Sequence, residues 1–103
     1  MTIRTEDPRF LELMSDIAQE DHEQLVAKNR RYGDSWIKRG GVDTYMMLAR
    51  KWDRIEHIVE GNGFNVVTLA VGEDDGDESL LDQIGDLRRY LLLVEAEVRL
   101  RRG

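Results

Sequence analysis

The single proline of this 103-residue chain stands at position 8. Proline removes a backbone donor and clashes with the preceding turn, so a chain without it is free to run in long helices. The breaks must then come from glycine and from polar caps. Asp7-Pro8 opens a first helical stretch, with an acceptor side chain at the N-cap and proline in the first turn, where its missing N–H costs nothing. Phe10, Leu13, Met14, Ile17 and Ala18 keep helical spacing, Leu25 resumes the stripe, and Gly33 is the expected stop. A second stretch, capped by Asp43 or Thr44, carries Tyr45, Leu48, Trp52, Ile55 and Val59 and ends at Gly61-Asn62-Gly63. A third, capped by Asp77, carries Leu80, Leu81, Ile84, Leu87, Leu91, Val94 and Val98.

These stretches predict an all-α bundle with three main helices, over about residues 8–32, 43–60 and 77–101. Phe64 to Val71 is rich in β-branched residues and is expected to form an extended insertion at about 64–71. The length suits one domain spanning 1–103. Three long amphipathic helices expose more apolar face than a small monomer hides, so a homo-oligomer, dimer or tetramer, is expected.

Charge is divided unevenly along the chain. The total is −6, which argues against a general nucleic-acid grip. From Glu73 to Asp86 there are seven acids and no base, whereas Lys28 to Arg54 holds eight bases against three acids. No apolar run approaches the ~20 residues of a membrane span, and the first residues lack the apolar stretch of a signal peptide. With no cysteine there is neither a disulfide framework nor a thiolate site. A cytoplasmic protein without membrane contact is the expectation.

Within the acidic window, Glu73, Asp74 and Asp75 read as a solvated loop and Asp77 as a cap. Glu78, Asp82 and Asp86, at i, i+4 and i+8, would form one row on the last helix. Like charges so placed cost about 0.2–0.5 kcal/mol per pair, which a bound cation would offset. Carboxylate oxygens suit Mg²⁺ or Mn²⁺. Asp53, Glu56 and Glu60 fall on one flank of the second helix, and antiparallel packing would bring the two rows to one cleft. Gly85 in mid-helix points to a close approach of another backbone or a ligand. The alternative is a solvated acidic face. In the basic half, Lys28, Arg50, Lys51 and Arg54 are candidates to hold phosphate oxygens, and Tyr32 and Trp36 to stack on a base. Ser35 is a candidate cap or phosphate donor. His22 and His57, far apart and without an orienting partner in sequence, read as surface or structural residues, and Met46 and Met47 as core.

Three blocks then carry a resemblance. They are Lys28-Asn29-Arg30-Arg31-Tyr32-Gly33-Asp34-Ser35-Trp36, Arg50-Lys51-Trp52-Asp53-Arg54-Ile55, and Glu78 to Leu87 with Asp82, Gly85 and Asp86 in order. Together they resemble the nucleotide modification associated domain family of phages and prophages. More distantly, Asp82 to Leu87 resembles the acidic helix of the all-α nucleoside triphosphate pyrophosphatases, the MazG and dimeric dUTPase group. Asp86 matches that group's closing aspartate, and Asp82 and Gln83 stand where it has paired glutamates. The resemblance implies a helical oligomer in a bacterial host cell that binds a nucleotide through Mg²⁺ (or Mn²⁺) and splits it between the α and β phosphates. On that expectation Asp53, Glu56, Asp82 and Asp86 are metal ligands, and Glu78 is a ligand or the catalytic base. Lys28, Tyr32, Ser35, Trp36, Arg50, Lys51 and Arg54 bind the nucleotide. A non-catalytic nucleotide-binding module and a protein-interaction bundle are the alternatives.

Overall fold

The computed structural model describes residues 3–74 and 76–103, and every regular element among them is helical. A single 3-10 turn, Arg4–Glu6, precedes four α-helices: α1 Pro8–Tyr32, α2 Gly41–Glu60, α3 Val66–Gly72 and α4 Leu80–Arg102. Contacts divide the chain into two compact units, Met1–Asp34 and Ser35–Gly103.

The first unit is α1 with its preceding turn. Asp7 accepts the N–H of Arg9 through its side chain at 2.9 Å, Pro8 follows, and Gly33 closes the helix at φ 62°. The bounds match those expected because cap, proline and glycine all act within one turn of the backbone they control.

The second unit is built on α2 and α4. Thr44 and Leu48 face Val94 and Val98, Lys51 meets Asp86, and Ile58 lies by Gln83, so the two helices run antiparallel. Ile55 and Leu80 are the buried apolar side chains among the described residues. Helix α2 starts at Gly41 rather than at residue 43, with Gly40 at φ 92° in place of a side-chain cap. Thr44 instead turns its hydroxyl inward and donates to the carbonyls of Trp36 at 2.8 Å and Gly40 at 3.2 Å. That pins the preceding loop onto the helix.

The expected extended insertion at 64–71 is a helix from Val66 onward. Asn65 caps it, its side chain accepting from the N–H of Thr68 at 3.0 Å. An extended segment needs a neighbouring strand for its N–H and C=O groups. Among the described residues no strand is formed, and helical bonds satisfy them internally. The β-branched preference is a preference for a pleated, half-buried surface, and that surface is missing here.

Helix α4 also starts later than expected. Ser79, not Asp77, is its N-cap: the hydroxyl accepts from the N–H of Asp82 at 3.1 Å. Asp82 in turn accepts the N–H of Glu78 at 3.0 Å, and Glu73 accepts that of Leu80 at 2.8 Å. Glu73 is therefore a capping residue rather than part of a solvated loop; Asp75 lies outside the described residues. Ser79 and Glu73 accept free donors of the helix start, Asp82 ties down the residue before the cap, and the acids sit at the positive end of the macrodipole. At the other end, Arg99, Arg101 and Arg102 complete the complement. Part of the acidic window of the sequence is thus the start of one helix, whereas the basic stretch from Lys28 to Arg54 lies on other elements. Ser79→Ala should cost about 1 kcal/mol of stability in a thermal melt. Asp77→Asn should stay within about 0.5 kcal/mol, as for a surface change; the reverse order would return the cap to Asp77.

Candidate functional site

Asp53, Arg54 and His57 lie at i, i+1 and i+4 on α2, a spacing that keeps them on one flank of the helix. The antiparallel packing brings that flank to the start of α4. There Asp53, Arg54, His57, Ile58, Glu78 and Gln83 line one opening of about 390 Å³. Glu78 adopts φ 67°, a left-handed conformation unusual for a residue with a side chain. Such strain costs on the order of 1–3 kcal/mol and persists only where surrounding structure enforces it. The Glu78 N–H donates to the Asp82 carboxylate at 3.0 Å.

The row expected from Glu78, Asp82 and Asp86 does not form, because Glu78 precedes the helix. Asp82 acts on the opening through the backbone of Glu78. Asp86 is engaged by cations: Lys51 Nζ stands 2.9 Å from its Oδ2 and Arg89 Nη2 2.8 Å from its Oδ1. Partial burial works to raise the Asp86 pKa, but the hydrogen bonds from Lys51 and Arg89, with their charges, outweigh it and hold the carboxyl below its ordinary range. Gly85 belongs to the same cluster. A Cβ there would stand 3.0 Å from Arg89 Nη1 and 3.2 Å from Nη2. The close approach inferred from this glycine is thus a guanidinium folding back along its own helix to reach Asp86.

The other expected residues are dispersed. Glu56 accepts a hydrogen bond from Trp52 Nε1 at 2.9 Å and borders an apolar groove of about 840 Å³ between α2, α3 and α4. Lys51 is turned to Asp86, and Arg50 is exposed. Trp36 is half-buried and lines a different opening, with Thr44, Tyr45, Leu48 and Val94. From Thr44 to Asp53 the helix rises about 13 Å, so Trp36 and exposed Ser35 lie toward the far end of the hairpin from Glu78. Lys28 and Tyr32 are exposed residues of the first unit, where the Arg31 guanidinium sits 5.9 Å from the Tyr32 ring centroid.

Asp53, Arg54 and Glu78 are therefore brought together; Glu56, Asp82 and Asp86 are each engaged elsewhere. Among the described residues no group of three or more acids or histidines is gathered around one point. His57 and Gln83 line the opening and were not expected there. The i, i+4 spacing of Asp53 and His57 was a legible signal for the first. The second is marked by the resemblance, in which Gln83 stands in the place of a glutamate. No family model, curated protein or solved structure matches the chain.

Proposed function

We propose that this is a Mg²⁺-dependent nucleotide-binding protein whose phosphate site is the opening shared by Asp53, Arg54 and Glu78. One observation carries the reading: a carboxylate and a guanidinium of α2 and a carboxylate from the turn before α4 line a single opening, and the last is held there in a strained backbone conformation. Mg²⁺ is commonly bound by one or two carboxylates plus the phosphates of a ligand, rather than by an all-protein cage. The pair Asp53 and Glu78 fits that mode, whereas the four-residue set Asp53, Glu56, Asp82 and Asp86 does not assemble. Arg54 supplies a planar fork for phosphate oxygens. The cation, when bound, neutralises phosphate charge and acts as a Lewis acid. The resemblance adds hydrolysis between the α and β phosphates, with Glu78 orienting water. The engagement of Asp82 and Asp86 by partners within the chain favours the non-catalytic version, a nucleotide-binding or sequestering module.

Assembly belongs to the same reading. Leu13 and Met14 on α1, and Trp52 and Leu91 beside the apolar groove, are about half exposed. A second copy of the chain would cover such surface in a dimer or tetramer.

Calorimetry with a panel of nucleoside triphosphates and Mg²⁺ or Mn²⁺ tests the proposal. Micromolar binding that vanishes with a chelator, and weakens at least tenfold in Asp53→Asn and in Glu78→Gln, is the expected result. Binding untouched by both variants would remove the site from this opening. Pyrophosphate release, followed in the same samples, separates enzyme from binder, and sedimentation reads the assembly.

A further inference from the structure

Gln83 occupies a core position. It follows Leu80 by three residues and precedes Leu87 by four, on the stripe of α4 that faces α2, and it is 2% exposed. A polar side chain so placed is costly unless its hydrogen bonds are made. The Gln83 Oε1 atom is buried and has no hydrogen-bond partner. Buried polar atoms are almost always paired, so an orphaned acceptor needs an explanation. Gln83 also lines the opening that holds Asp53, Arg54, His57 and Glu78.

We propose that Gln83 Oε1 is the specificity-determining acceptor of this site, taking a hydrogen bond from a hydroxyl or amino group of the sugar or base of a bound nucleotide. This rests on the reading of the opening as a nucleotide site. The argument is one of chemical division. Asp53 and Glu78 are charged and suit a cation, and Arg54 suits phosphate oxygens. A carboxamide oxygen brings no charge to a cation and has no proton to donate to phosphate. Its bond is short-ranged and requires an N–H or O–H, which is how a site distinguishes ligands that differ by one donor group. An opening of about 390 Å³ is of small-ligand size rather than that of a bare cation. A ligand lacking the donor would leave the acceptor buried and unpaired in the complex, and discrimination follows from that penalty.

The test compares the wild-type chain with Gln83→Met, which keeps side-chain length and removes the orphaned polar atom. Binding of Mg²⁺ nucleotides is measured in matched pairs: ribose against 2′-deoxyribose, and an amino-bearing base against its oxo counterpart. The wild-type chain is expected to favour the donor-bearing member of at least one pair by about tenfold or more. Which pair responds assigns the contact to sugar or base. Gln83→Met should bind both members alike, with an unfolding midpoint equal to or above that of the wild type. Nucleotide binding by the wild-type chain with no preference in any pair overturns the assignment and leaves the phosphate site standing. A preference that persists in Gln83→Met also overturns it, as does a lowered midpoint, which would show that the carboxamide serves the fold. Failure of every nucleotide to bind overturns the site itself.

Discussion

Leu80→Ala is expected to lower the free energy of unfolding by about 2–5 kcal/mol, the range for truncating an enclosed leucine. Leu80 is fully buried at 0% exposure, and Ile55 at 6% is the other buried apolar residue among those described. The second unit thus rests on a narrow core. Losing its central side chain removes transfer energy and leaves a cavity that the surrounding structure closes only in part. The leucine is also the first residue of α4, and its N–H is bound to Glu73. A displaced helix start would loosen Glu78 in turn. Urea unfolding checks this, with the midpoint falling and the slope unchanged. Leu80→Met, which conserves volume, should cost less than about 1.5 kcal/mol. A cost below 1 kcal/mol for the alanine variant would contradict the enclosure of this site.

Asp86→Asn is expected to be the next most damaging change, at about 1–3 kcal/mol, between the values for exposed and for fully buried pairs. It removes the charge of the carboxylate that the Lys51 ammonium and the Arg89 guanidinium both contact. The same contacts set a pH dependence. They lower the Asp86 pKa in the folded chain below its unfolded value, so across that interval the unfolded state binds more protons. The contribution of Asp86 is therefore fully present above the unfolded value of about 3.9 and is lost as pH falls through the folded one. A stability profile measured from pH 7 down to pH 2 should show an acid limb that is shallower in Asp86→Asn. Equal acid limbs in the two proteins would mean that Asp86 is not paired in solution.

How far the role of a carboxylate is legible in the sequence has a physical pattern. Asp7 was legible as a cap because the group it serves is two residues away. Asp77 and Ser79 are both good capping types, and local sequence could not choose between them. The choice follows the whole turn, in which Glu73, Asp82 and Ser79 each reach a different donor. Helical spacing and the resemblance group Glu56 and Asp86 with Asp53. Spacing places side chains on a face but is silent about a tryptophan N–H or a pair of cations already waiting there. Gln83 shows the limit most plainly, since an orphaned acceptor is a property of a finished interior.

The amino-acid order by itself determined that the chain is helical, where α1 begins and ends, and that its acids and bases would be separated. Those features depend on hydrogen bonds and caps that act within a turn of the residue concerned. The tertiary structure decided that residues 66–72 are a helix, that Asp86 is held by a lysine 35 positions away, and that Glu78 and Asp53 share an opening. Such outcomes turn on which groups meet across the chain. A carboxylate has the same chemistry as a cap, an ion-pair partner or a ligand, and only the neighbour that packing delivers distinguishes one role from another.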